Sequence, residues 1–110
     1  MVIKYKTRKL EKSLIDPKEM NKTYGTRAKK VNQRLKEITA SATLTVLKTI
    51  PAANCHQLSA DRDDQYAVDI SANYRMILEI DHDPIPRKDD GGIDSDQITA
   101  ITILEITDYH

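Results

Sequence analysis

The sequence holds one cysteine, Cys55, in 110 residues. A single thiol cannot close an internal disulfide, so the fold must rest on packing, and a reducing, cytoplasmic setting fits best. Cys55 itself reads as a small buried apolar residue rather than a nucleophile. Long hydrophobic runs are missing too. Nothing approaches the roughly 20 apolar residues that cross a bilayer. Residues 1–10 alternate lysines with hydrophobics and lack the apolar stretch of a signal peptide. No His/Cys group has zinc spacing, and no phosphate-loop or dinucleotide fingerprint occurs, since Gly91-Gly92 reads as a turn. The acidic stretch from Asp89 to Asp96 lacks the glycine and terminal glutamate positions of a calcium loop. Repeats and low-complexity runs are absent. Together these absences point to one soluble domain, and they imply neither a metal nor another cofactor.

Charge of one sign is also missing, but only on average. The formal net charge is zero. Residues 1–50 nevertheless hold 13 Lys/Arg and 4 Asp/Glu, and residues 51–110 hold 4 Lys/Arg and 13 Asp/Glu. Such asymmetry either offers a polyanion a basic half to bind, or lets the two halves fold together and neutralise one another.

The apolar pattern predicts helices first and strands after. Val2 to Lys6 reads as a short strand. Thr7 to Leu14 places Leu10 and Leu14 four apart, as in a short amphipathic helix. Asp16-Pro17 ends it or starts a turn, and Lys18 to Gly25 reads as polar linker or weak helix. Thr26 is a plausible N-cap for a helix from Arg27 to Thr39. Its stripe is Ala28, Val31, Leu35 and Ile38, and Arg27, Lys29, Lys30, Arg34 and Lys36 cover the remainder. A further short helix fits Thr43 to Thr49, before Pro51.

Cys55 to Leu58 reads as a strand or its approach. Tyr66 to Ile70 alternates, Ser71-Ala72-Asn73 suits a tight turn with Asn73 left-handed, and Tyr74 to Ile80 alternates again. In this hairpin Tyr74, Met76, Leu78 and Ile80 should face the helices. Arg75 then stands mid-strand on the open face. Residues 81–96, with two prolines, two glycines and a run of aspartates, read as a long acidic loop in which His82 is solvated. Gln97 to His110 is a β-branched strand carrying titratable Asp108, Tyr109 and His110 at its end. The whole is an α+β arrangement, with N-terminal helices packed on one face of a small, mainly antiparallel sheet.

Three polar features stand out: His56, Arg75, and the Asp108-Tyr109-His110 end. A mid-strand arginine must pair with a carboxylate, here Asp69 or Glu79, or bind an anion. A lone His56 is as readily a hydrogen-bonded structural residue as a catalyst.

Ala28-Lys29-Lys30 opening an Arg/Leu helix, His56-Gln57-Leu58, Asn73-Tyr74-Arg75 and terminal Asp108-Tyr109-His110 follow a short basic strand in that order. This pattern resembles the HigB-type branch of the RelE/ParE-like toxins, also called plasmid maintenance killer proteins. The resemblance spans residues 1–110 as one RelE-like domain, apart from an acidic insertion at about 81–96. It implies a ribosome-dependent messenger-RNA endonuclease, neutralised by a helix-turn-helix antitoxin of HigA type. It also implies a site at His56, Arg75, Tyr109 and His110, with Asp108 beside them.

The chemistry agrees with that set. In metal-independent cleavage the 2′-hydroxyl attacks the neighbouring phosphate, which requires a base, an acid and a cation. His56 and His110 are suited to share the proton transfers, Arg75 to the phosphate, and Tyr109 to stacking or proton donation. The helix carrying Arg27, Lys29, Lys30, Arg34 and Lys36 would grip ribosomal RNA. Two departures are evident. The lysine that usually follows the histidine is replaced by Ser59, with Arg62 nearby, and the usual Gly-Asp turn reads Ala60-Asp61. The same resemblance leaves room for a ParE-like gyrase-binding toxin, or for a degenerate protein that only binds an antitoxin.

Overall fold

A computed structural model describes residues 1–58 and 64–108. The chain order is β1 (Val2–Tyr5), α1 (Arg8–Ile15), α2 (Pro17–Tyr24), α3 (Ala28–Ala40), α4 (Leu44–Lys48), β2 (His56–Gln57), β3 (Gln65–Asp69), β4 (Tyr74–Ile80) and β5 (Ala100–Asp108). The strands form one sheet in the order β1-β5-β4-β3-β2. β1 lies parallel to β5 and every other pair is antiparallel. The expected α+β class and mainly antiparallel sheet are therefore present.

Local chemistry explains the helices. Thr7 accepts a hydrogen bond from Leu10 N and caps α1. Asp16 caps α2 through Lys18 N at 3.0 Å, and Pro17 fills the first helical turn. Residues 17–24 thus form a full helix rather than a linker. Gly25 leaves it with φ +55, a conformation that favours glycine. The next step departs from expectation. Gly25–Arg27 is a 3₁₀ turn, so α3 begins at Ala28 and Thr26 does not cap it.

Val31 and Ile38 of α3, Leu44 and Leu47 of α4, Met76 and Leu78 of β4, and Ile101 and Ile103 of β5 are completely or almost completely buried together. Each large apolar side chain in this layer contributes about 1.5–3 kcal/mol on burial. Ala67 and Ile77 are buried on the other face of the sheet, outside this core, so that face is not bare.

β5 carries an irregularity. Ile77 pairs with Glu105 but Leu78 pairs with Ile103, which leaves Leu104 as a bulge. The bulge lets Ile101, Ile103 and Ile106 all pack toward the helices. It also sets Thr107 opposite Arg75.

The acidic segment 81–96 is a docked excursion rather than a free loop. Arg87 bridges Ile93, Asp94 N donates to Pro86 O, and Ile85 and Ile93 pack against the core. Asp96 accepts from Thr45 Oγ1 of α4, and Lys4 pairs with Asp81 at 3.0 Å. His82 is tied in rather than solvated, because its Nε2 accepts from Thr99 N at 3.0 Å. The segment leaves β4 after Ile80, whereas Arg75 lies near the opposite end of that strand. Five residues of strand, roughly 17 Å, separate the acidic segment from Arg75.

Candidate functional site

The β3–β4 turn closes through Ile70 N and Ser71 N, which both donate to Tyr74 O. This turn and the approach to β2 enclose a pocket of about 270 Å³, lined by Asn54, His56, Asp69, Ser71, Ala72 and Arg75. Two of the expected site residues, His56 and Arg75, therefore share one cavity. Its volume is just below the range of small-molecule clefts, roughly 300–1,000 Å³, and suits one phosphate or nucleotide unit of a longer chain.

Strand register explains the grouping. His56 is opposite Ala67, Asp69 is two residues farther along β3, and Arg75 is opposite Asp69. All lie on the face of the sheet away from the helices. His56 and Arg75 are two strand spacings and two residues apart, roughly 12 Å between Cα atoms, which a phosphate and a long arginine side chain can fill.

The imidazole is oriented by the backbone. His56 Nδ1 lies 2.8 Å from the carbonyl oxygen of Asn54. A carbonyl only accepts, so Nδ1 carries the proton, and in the neutral ring Nε2 holds the lone pair. Asn54 adopts φ 45 and ψ 48 at the end of the 3₁₀ turn Pro51–Ala53. Asparagine tolerates that left-handed conformation better than most residues. Its Nδ2 donates to Asp69 Oδ2 at 3.1 Å. The left-handed asparagine is thus Asn54 and not Asn73, since Asn54 is the one non-glycine residue with positive φ among the described residues. The signal for Asn54 was available: an asparagine after a short Pro-Ala-Ala turn and before a strand.

Among the helix cations, Lys29, Lys30 and Lys36 are exposed. Arg27 is exposed too, with its guanidinium 3.7 Å from the Tyr74 ring centroid. Arg34 is not on this surface. It is 6% exposed and turned inward. Nε donates to Asp69 O at 2.7 Å, Nη2 to Ala52 O at 3.0 Å, and Nη1 to Glu37 Oε1 at 3.1 Å. A guanidinium so enclosed and engaged does not reach a nucleic acid, which corrects its assignment to the basic RNA-binding side. The cause is the helical period: Arg34 is three residues past Val31 and four before Ile38, on the buried stripe, while Leu35 is only partly buried.

Asp108 is opposite Tyr74 at the pocket end of the sheet. Tyr109 and His110 lie outside the described residues, as do Ser59, Ala60, Asp61 and Arg62. Cys55, beside His56, is half-buried, and burial pushes its thiol up to about 12, partly offset by Lys48. A thiol held protonated is a poor nucleophile. Another hollow, of about 260 Å³ between α1, α2 and α3, is lined in part by Leu14, Met20 and Ala28 and contains no histidine or carboxylate. Among the described residues no group of three or more His, Cys, Asp or Glu side chains is placed to hold a metal ion, and no helix is long and apolar enough to cross a membrane.

No family model matches the chain, and no curated protein matches it. Among solved structures it is similar to a YoeB/ParE toxin from Agrobacterium tumefaciens, with a TM-score of 0.56 and 11% sequence identity over 100% of both chains. The chain therefore has the helix-on-sheet fold of that toxin along its full length.

Proposed function

We propose that this protein is the toxin of a type II toxin–antitoxin pair and an endoribonuclease of HigB type that cleaves messenger RNA on the ribosome. The observation that carries this reading is the pocket in which His56, held by the Asn54 carbonyl, faces the same cavity as Arg75. The shared fold of a YoeB/ParE toxin supports it.

His56 Nε2 accepts the proton of the 2′-hydroxyl, and the freed oxygen attacks the adjacent phosphorus. The bond to the 5′-oxygen breaks as that oxygen takes a proton from an acid. The products are a 2′,3′-cyclic phosphate and a 5′-hydroxyl. Arg75 carries the charge that builds on the non-bridging oxygens. His110 is assigned the acid and Tyr109 the stacking role, both on sequence resemblance. Arg27, Lys29, Lys30 and Lys36 form the RNA- and ribosome-binding surface. The antitoxin partner is a helix-turn-helix protein of HigA type, and the setting is the cytoplasm.

Primer extension on translated mRNA tests this. Induction of the wild-type chain without a partner should arrest growth and produce new 5′ ends within coding regions, and Arg75→Ala or His110→Ala should abolish both. Growth arrest with intact mRNA and inhibited DNA supercoiling would instead establish a gyrase-binding toxin of ParE type. Neither arrest nor cleavage would mark a chain that only binds an antitoxin.

A further inference from the structure

A buried cation, Arg34, lies beside the pocket without lining it. Arg34 reaches across from α3 and clamps two backbone carbonyls, Asp69 O at the end of β3 and Ala52 O before β2. Asp69 lines the pocket, and Ala52 lies two residues before Asn54, which lines it too. Glu37, one helical turn on, accepts from Nη1 at 3.1 and 3.3 Å and balances the charge. Between the two clamped points sits Asn54, whose side chain is tied to Asp69 and whose carbonyl receives His56 Nδ1. An uncharged or shorter side chain at position 34 would take this donor from both part-buried carbonyls.

We propose that Arg34 is a positioning residue for His56. By fixing Ala52 and Asp69 it holds Asn54 in its left-handed conformation, and Asn54 in turn holds the imidazole in the Nδ1–H tautomer that leaves Nε2 as proton acceptor. The consequence for cleavage rests on the endonuclease reading above, but the tautomer does not. Arg34 contacts no substrate; it acts through two carbonyls and one asparagine. A guanidinium suits this task because its planar fork reaches several acceptors at once, which an ammonium on a flexible stem does not do in the same geometry.

The test is ¹⁵N NMR of the imidazole nitrogens of His56 in the folded protein with the ring neutral. In the wild-type chain Nε2 should show the shift of an unprotonated nitrogen and Nδ1 that of a protonated one. Arg34→Lys and Arg34→Met should move both shifts toward the mixed values of a free histidine, with amide spectra that remain dispersed. Where RNA cleavage is present, Arg34→Lys should lower the rate at saturating substrate about 10- to 100-fold with little change in KM. Asn54→Gly keeps the left-handed conformation accessible but removes the tie to Asp69 and loosens the backbone that offers the carbonyl, so it should show the same shift changes should both Arg34 variants fail to fold. A wild-type His56 with its proton on Nε2 overturns the proposal. So does any folded Arg34 variant, or Asn54→Gly in their place, whose His56 shifts equal those of the wild type. Absence of RNA cleavage with the expected tautomer changes overturns the endonuclease reading and leaves the positioning role standing.

Discussion

The Arg27 guanidinium lies over the ring of Tyr74, 3.7 Å from its centroid. The contact links the 3₁₀ turn before α3 to the first residue of β4, one position before Arg75. A cation over an aromatic face at an exposed site contributes about 0.5–1 kcal/mol. Tyr74→Leu should therefore lower unfolding free energy by about that amount beyond its packing loss, and Tyr74→Phe should retain the stacking component. Urea denaturation of both variants, each also in an Arg27→Ala background, isolates the coupling.

On the proposed endonuclease function, loss of His56 should be more damaging to cleavage than to folding. The side chain is only partly buried, and the described structure gives its ring one hydrogen bond. General base catalysis accounts for about 10²–10⁴-fold in rate. His56→Ala should show a loss of that order in the primer-extension assay, with a melting temperature close to that of the wild type. A cleavage rate within a few-fold of the wild type would remove His56 from the mechanism.

Cys55 should give the chain an alkaline weakness. Burial raises its pKa from 9.0 to about 12, partly offset by Lys48. The folded value lies above the unfolded one, so the folded state keeps a proton that the unfolded chain releases. The associated stability is fully present below pH 9 and is lost as the pH rises from 9 to 12, at no more than about 1.4 kcal/mol per pH unit. The difference in unfolding free energy between wild type and Cys55→Ala should therefore shrink over that window. Thiol labelling at pH 8 should be slow until denaturant is added.

The acidic segment should be separable from the pocket. Thr45 Oγ1 donates to Asp96 Oδ1, and Thr99 N donates to His82 Nε2, at the end of β4 remote from Arg75. Asp96→Ala or His82→Ala should each cost about 1 kcal/mol and speed amide exchange between residues 81 and 99. Neither should alter the His56 imidazole shifts. A change there would show that the segment reaches the pocket after all.

Much of the layout is legible in the chain because it depends on near neighbours. The Val31–Ile38 stripe, the alternation from Tyr74 to Ile80 and the tight turn at Ser71-Ala72-Asn73 each follow from a period of 3.6 or 2 and from turn chemistry. That period alone places Arg75 on the face away from the helices. It also marks Arg34 for burial, but a basic side chain on an apolar stripe reads more naturally as surface. Asn54 is only half legible: an asparagine after Pro51-Ala52-Ala53 signals a left-handed turn, but not that its backbone carbonyl meets His56.

By itself, then, the sequence determined much of the inward face of the helices and strands, Arg34 excepted, and it brought forward His56 and Arg75 as chemistry-bearing residues. Only the tertiary structure decided that these two share a pocket, because they lie on strands that both pair with β3. It also decided that Arg34 clamps the Ala52 and Asp69 carbonyls, that a bulge at Leu104 sets Thr107 opposite Arg75, and that the acidic segment docks at the far end of β4. The reason is physical. Periodicity and capping act over a few residues, whereas strand register and the partner of a buried guanidinium are set by contacts between segments far apart in the chain, whose geometry exists only once the core has formed.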